Sequence, residues 1–522
     1  MTRLDIERGS YIDIPIAPPA PPPVPIEPTV FVAAYNARPE IKEKADLVCN
    51  GSNDQEKINQ AISMLPTSGG TVKLSEGDFV ISSPIIILRN KVALEGCGPS
   101  TVIKGPINNN YLNVGDGTNQ YSEIKVANLK IDGTDQIGGF GIFAAKITKL
   151  VIENCIIYNT KGLGIYLEHV YDSLIQKNII NANADGIFTW YIRNCSIVGN
   201  HIHDVGGYGM YNYSSRNSTI SGNQIFNTTN DGIYNYGVVN CSISGNEIRQ
   251  AGSHGIYNKL CGYCTISANQ IALAGANGIY NEETLGSFTI VGNQINSPGN
   301  AGILNYISET TTISGNQIYG AINGIICEYS GDCTITGNEI VETTNNGIVN
   351  GPSSYYCTIS GNQIKAAGSV GIYNTLSSYC SIVGNQVRDA GEEGIRNENS
   401  ESCTIVGNSI YGCGSYANNY SIYNYNSSNC TISGNQIQNA YSTGIYNENS
   451  DSCSITGNVV VGVPEGSYII WNNNPDVVIS SNIGDKPIYN EGSGCTITGN
   501  RVPIINSVGL NCLISNNIVS EG

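Results

Sequence analysis

Charge is what this sequence has least of. Asp, Glu, Lys and Arg make up 13% of the 522 residues, and 25 basic residues face 42 acidic ones, for a formal net charge of −17. Nucleic acid and anionic membranes are bound through an excess of Lys and Arg, so neither is a partner that this composition supports. There is no run of 18 apolar residues, so nothing reads as a membrane span. The opening residues, Met1-Thr-Arg-Leu-Asp-Ile-Glu-Arg-Gly9, lack the basic-then-apolar order of a secretory signal. No Gly-rich phosphate loop, Ser-His-Asp set or Gly-Gly-x-Gly-x-Asp calcium repeat occurs. Cys261-x-x-Cys264 stands without the second pair that zinc wants. No cofactor and no metal site are read from the chain.

What the chain does have is a phrase repeated in phase, seen clearly in Asn240-Cys-Ser-Ile-Ser-Gly-Asn-Glu-Ile-Arg-Gln-Ala-Gly-Ser-His-Gly-Ile-Tyr-Asn258. Its template is Cys-Thr/Ser-Ile-x-Gly-Asn-x-Ile, a short turn, Gly-Ile-Tyr-Asn, and another turn. A unit of about 23 residues cannot bury a hydrophobic face alone and must stack on its neighbours. The expected fold is therefore all-β, a parallel β-helix solenoid. Counting by the template Asn, from Asn128 and Asn154 through Asn178 and Asn200 to Asn517, gives about 18 rungs and a rod of roughly 85 Å at the strand spacing of a sheet.

Period-2 alternation assigns the faces. Cys and Ile of Cys-Thr-Ile point in, as do Ile and Asn of Gly-Ile-Tyr-Asn. The Asn of each Gly-Asn can bond its amide to the rungs above and below, which satisfies polar groups inside. Asn212, Asn235, Asn258, Asn281, Asn305, Asn350 and Asn374 make a second such series. Seventeen cysteines suggest a disulfide framework, but their phase argues otherwise. Most share one template position, so their side chains point the same way at the strand spacing, whereas a disulfide needs Cβ atoms turned towards each other. They read as a column of buried thiols packed as small hydrophobes.

Three segments precede or begin the repeats. Residues 1–30 combine a short head with Ile16-Ala-Pro-Pro-Ala-Pro-Pro-Pro-Val-Pro-Ile-Glu-Pro28, an extended polyproline spacer, and read as an attachment peptide and linker. Residues 31–106 form an N-terminal cap, and 107–522 the rungs. In the cap, apolar residues at Ile58, Ala61, Ile62 and Leu65 give the spacing of an amphipathic helix stopped by Pro66. Strand-like runs follow at Gly69–Ile81, Ile85–Leu88 and Val92–Gly98. This succession, with Asp54-x-x-x-Ile58-x-x-Ala61-Ile62, Gly69-Gly-x-Val-x-Leu74 and Leu94-x-Gly96-x-Gly98, resembles the opening of the pectate-lyase-like superfamily of right-handed β-helix proteins, a fold also found in phage and virus tail spikes and fibres. The resemblance implies a right-handed solenoid whose helix caps its N-terminal end.

Function is read from outward positions. The Tyr of Gly-Ile-Tyr-Asn and the residue two further on make two adjacent columns of aromatics and acids. Phe188, Trp190, Tyr211, Tyr213, Tyr234 and Tyr236 form the densest patch, flat apolar bodies with polar tips suited to sugar rings. The same columns also suit β-structure by cross-strand pairing alone. Catalysis on such a fold wants two carboxylates about 5–9.5 Å apart. Asp185 and Asp231 fall two rungs apart in the column before Gly-Ile, with His254 one rung beyond. Asn230-Asp231-Gly and Ser253-His254-Gly faintly resemble polygalacturonase motifs, but Tyr208 replaces an acid of that family and its Arg-Ile-Lys is absent.

Three expectations stand together. The first is a structural and receptor-binding rod of the tail-spike or fibre type, extracellular or on a virion, joined to an assembly partner through residues 1–30 and binding surface polysaccharide. The second is a polysaccharide hydrolase or lyase acting through Asp185, Asp231 and His254. The third is a cell-surface adhesin or filament subunit. The shortened last rungs leave an open β edge, from which oligomerisation is expected, as a trimer by the resemblance.

Overall fold

The computed structural model describes residues 28–414 and 420–519. The head and most of the polyproline linker lie outside the described residues. Each repeat lays one short strand on each of three parallel sheets, here A, B and C. In the unit around Asn246 these are Ser242–Ser244, Glu247–Ala251 and Ile256–Lys259. Each strand pairs in parallel with its equivalent one repeat on, as in Ile243↔Ile266, Ile248↔Ile271 and Ile256↔Ile279. The result is the expected all-β solenoid of about 18 turns.

The local reasons are visible within one turn. Ile243 and Ile248 are fully buried, and Gly245, at φ +62°, makes the corner between sheets A and B in open space where no neighbour lies. At the corner between B and C, a second glycine has another cause. A Cβ on Gly255 would lie 2.4 Å from Ile271 Cγ2 and 2.6 Å from the Gly278 carbonyl. Gly-Ile is thus required by close approach of two turns.

Asn246 accepts at Oδ1 from Asn223 N at 3.0 Å and Asn223 Nδ2 at 2.9 Å, and donates from Nδ2 to Asn269 Oδ1 and the Ile220 carbonyl. This ladder runs from Asn178 to Asn517. Its start differs from the sequence count. Cys155 N donates to Asn178 Oδ1, so Cys155 occupies the ladder position. Asn154 and Asn128 precede that position, at φ 53° and 56°, in the left-handed corner that Gly fills later. Gly-Asn and Asn-Cys differ by one residue, and only the pairing register resolves the slip.

The second Asn ladder links Asn212, Asn235, Asn258, Asn281 and Asn305, and resumes from Asn350 to Asn490 with Cys327 in the gap. A serine ladder also runs inside, with Ser354, Ser377, Ser400 and Ser427 each donating its backbone N–H to the hydroxyl of the next repeat. All seventeen cysteines are free and, apart from Cys97 and Cys512, buried. They are not merely small hydrophobes. Cys380 Sγ donates to the Ser354 carbonyl at 3.4 Å and accepts from Asn350 Nδ2 at 3.3 Å, and Cys403 repeats the pattern with Ser377 and Asn374.

The helix Gln55–Met64 buries Ile58, Ala61 and Ile62, packing on strands Thr29–Ala33 and Ile85–Ile87. Asp54 ties its start to the solenoid, accepting from Asn50 N, Gly51 N and Val80 N. Arg89 closes its other end, donating to the carbonyls of Ile62, Ser63 and Pro66. Strands Gly77–Val80 and Ile85–Ile87 already pair with Thr101–Lys104 and Leu112–Val114, so sheets B and C run unbroken across residue 106.

Candidate functional site

Sheet C presents its outward residues as two parallel columns. In the strands Ile187–Trp190, Met210–Tyr213 and Ile233–Tyr236, alternate residues are buried. Phe188, Tyr211 and Tyr234 therefore stack in one column and Trp190, Tyr213 and Tyr236 in the next. The six aromatics picked from the sequence come together as one patch.

The first column is a continuous pile of rings. Centroids lie 5.3 Å apart for Phe143–Tyr166, 5.0 Å for Tyr166–Phe188, 4.9 Å for Phe188–Tyr211, Tyr211–Tyr234 and Tyr234–Tyr257, and 4.8 Å for Tyr257–Tyr280. Tyr208, from the turn before Gly-Ile, adds a ring stacked on Tyr234 at 5.2 Å. In the second column, Tyr213 and Tyr236 are parallel within 5° at 5.3 Å, and Trp190 is 36% exposed. Lys259 and Glu282 then close the aromatic run with an ion pair. Further along, Arg396 sits 5.4 Å from both the Tyr373 and Tyr423 rings and pairs with Glu398. Phe143 and Tyr208 extend the patch beyond the sequence selection. Tyr208 was hidden because its column otherwise holds polar residues.

Burial raises the pKa values of these phenols. Tyr166 is pushed up to about 12, chiefly by desolvation with Glu168 adding to it, and Tyr280 likewise to about 12. Tyr211, Tyr234 and Tyr257 move the same way, desolvation leading. A phenol whose folded value lies above its unfolded value of ~10 contributes full stability below pH ~10 and loses it as pH rises through the folded value. Melting temperature is expected to hold to about pH 10 and fall steeply towards pH 12, with tyrosinate absorbance at 295 nm rising late. A tyrosinate curve matching free tyrosine would contradict the buried stack.

Asp185, Asp231 and His254 stand in a single column, with Tyr208 between the two carboxylates. Each is engaged with the next turn. Asp185 Oδ1 accepts from Tyr208 N and Asp231 Oδ1 from His254 N, both at 2.8 Å, and His254 Nδ1 accepts from Asn277 N at 3.2 Å. Asn277 Oδ1 in turn accepts from Ala301 N. Desolvation raises both Asp185 and Asp231 and lowers His254. Asp231 is only 4% exposed, and the His254 ring lies against Tyr257 and Tyr280 at 5.1 and 5.0 Å. Geometrically this is another capping ladder, in which each side chain satisfies the backbone N–H one turn on. His201 and His203 lie on sheet B, away from this column, with His203 Nδ1 on Asp204 at 2.9 Å.

A family model described as periplasmic copper-binding protein (NosD) matches residues 72–235, 156–307 and 277–417, together two thirds of the chain. This chain belongs to the NosD family. Its fold is the right-handed parallel β-helix. No curated protein matches the sequence. Among solved structures, the DFA-IIIase of Arthrobacter chlorophenolicus A6 without its lid is similar at 13% identity and TM-score 0.44, over 58% of this chain and 94% of that one. The surface adhesin PfbA of Streptococcus pneumoniae shows 15% identity and TM-score 0.45 over 63% and 87%. Tailspike protein 2 of Escherichia coli O157:H7 bacteriophage CAB120 shows 14% and 0.37 over 54% and 40%. These likenesses are of fold.

The family description raises the question of copper. Among the described residues, no group of three or more His, Cys, Asp or Glu is arranged to hold a metal ion. The softest donors, the thiols of the column, are sealed, with Cys333, Cys357, Cys380, Cys403 and Cys430 all at 0–1% exposure and already hydrogen-bonded to carbonyls. This donor set does not fit copper.

Proposed function

We propose that this protein is an extracellular binding rod that lays a surface polysaccharide along the aromatic face of sheet C. One observation carries the reading: an unbroken series of rings from Phe143 to Tyr280, one per turn, beside the exposed Trp190 and the parallel Tyr213 and Tyr236. The outward edges of these stacked rings, with the part-exposed Trp190 at their margin, give successive sugar rings a continuous apolar strip without a pocket. A role as a tail-spike or fibre-type attachment protein, anchored through residues 1–30 and assembled as a homotrimer, fits the head-and-linker sequence and the rod. Adhesion at a cell surface would use the same face.

The enzymatic alternative, hydrolysis or lysis through Asp185, Asp231 and His254, is less well supported. All three side chains already bond backbone N–H groups, Asp185 and Asp231 as acceptors at 2.8 Å and His254 at 3.2 Å. Incubating the protein with a panel of polysaccharides separates the readings. The expected result is binding without shortening of the polymer, weakened about tenfold by Trp190→Ala with an unchanged melting temperature. Depolymerisation that disappears in Asp231→Asn would overturn it in favour of the enzyme.

A further inference from the structure

Beside the aromatic face, in the turn leading from sheet C to sheet A, lies a hollow of about 540 Å³. Residues 171, 193, 216 and 239 stack there in register as single parallel bridges, so Arg193 and Arg216 are directly opposed one turn apart. Like charges in opposed positions destabilise a sheet. This pair is also unneutralised. The chain's ion pairs are formed by other cations, and neither guanidinium has a partner among the described residues. The acid preceding them in the turn, Asp172, accepts from the neutral Asn194 Nδ2 at 2.9 Å and is ion-paired with neither arginine. In a chain of net charge −17, a repulsive and unpaired arginine couple is out of character.

The walls are built to match. His169 and Tyr191 lie parallel within 4° at 5.3 Å, and the same turn position in the next repeats holds Ser214 and Gly237, which opens the hollow on that side. Tyr191 is 43% exposed. It meets Trp190 at 5.8 Å and Tyr213 edge-on at 6.0 Å. The hollow and the aromatic patch are one continuous surface.

We propose that Arg193 and Arg216 form an oxyanion subsite, so that the glycan bound on the aromatic face is an acidic one. A carboxylate, sulfate or phosphate ester on a sugar stacked at Trp190 and Tyr213 falls within reach of two planar forks of N–H donors. Such a group supplies the negative charge that the arginine pair lacks. The inference rests on the binding reading above and narrows its ligand class.

The full chain would be titrated calorimetrically with polygalacturonate, dextran sulfate, unsubstituted dextran and a single-stranded oligonucleotide at two salt concentrations. At least one acidic polysaccharide is expected to bind about tenfold more tightly than dextran, with an affinity that falls as salt rises. The carboxylate and sulfate arms identify which oxyanion is taken. Arg193→Gln/Arg216→Gln should remove that advantage, leave dextran binding unchanged and, by relieving the repulsion, hold or slightly raise the melting temperature, whereas Trp190→Ala should weaken every polysaccharide. Where dextran binds too weakly to measure, the comparison is wild type against the double variant on the acidic polymers. The proposal is overturned if acidic polymers bind no better than dextran, if the double variant keeps the preference, or if the oligonucleotide binds equally well through the same arginines. Loss of binding in Trp190→Ala alone with an intact double variant would leave the aromatic face and remove the subsite.

Discussion

Replacing Asn293 by Leu is expected to cost about 4 kcal/mol, a large share of what holds any one turn in place. Asn293 Oδ1 accepts from Asn269 N at 3.0 Å and Asn269 Nδ2 at 2.9 Å, while its Nδ2 donates to Asn316 Oδ1 at 2.9 Å and the Ile266 carbonyl at 3.0 Å. All these groups are sealed from water, and Leu supplies neither donor nor acceptor. The Asn269 N–H and one Asn269 amide hydrogen would each be stranded, at about 1–3 kcal/mol apiece. Because each turn touches only its neighbours, the damage should be local, appearing as faster amide exchange in the turns around 269–316 before global unfolding. Asn517, at the half-exposed end of the same ladder, should lose only about 1 kcal/mol on the same change, since water can replace the missing bonds. Equal losses at 293 and 517, or a loss below about 1 kcal/mol at 293, would mean the ladder is not a principal support.

Gly255→Ala should destabilise by about 3 kcal/mol even though alanine is a mild substitution. The added methyl would collide with Ile271 Cγ2 and with the Gly278 carbonyl, and a backbone atom in a three-sheet stack cannot retreat without moving its whole turn. Gly245→Ala makes the contrast. Its φ of +62° disfavours a side chain, but nothing lies within 4 Å of the new Cβ, so only the left-handed penalty of about 1 kcal/mol applies. Urea unfolding of the two variants should separate them by about 2 kcal/mol. If Gly245→Ala proves the more harmful, strain and not close approach governs the repeat.

The two glycines show where sequence reading stopped. Both recur in most phrases and look alike as letters, yet one serves φ and the other serves distance. The distance involves Ile271 and Gly278, a whole repeat away, and a periodic pattern carries no information on how near two turns approach. The one-residue slip at Asn128 and Asn154 has the same origin, since an Asn before an apolar residue satisfies the template whether it lies in the corner or in the ladder. For the candidate site, the alternation rule placed all six aromatics on one face because burial alternates along the three strands that carry them. It could not show that Asp185, Asp231 and His254 spend their polar atoms on the next turn's backbone, because that depends on χ angles and turn geometry. The opposition of Arg193 and Arg216 also escaped it, since both lie in the irregular turn outside the phrase.

The sequence by itself determined the architecture. A unit too short to fold alone, an inward Ile and Asn at fixed intervals, and a helix-led cap admit few structures besides a parallel β-helix, because every apolar face must be covered by a copy of itself. Which residues share a surface between repeats was decided only by the tertiary structure. Pairing register converts a separation of 23 residues, as between Arg193 and Arg216, into one strand spacing. The hollow, the thiol–amide bonds and the occupied state of the acidic column all arise from that conversion.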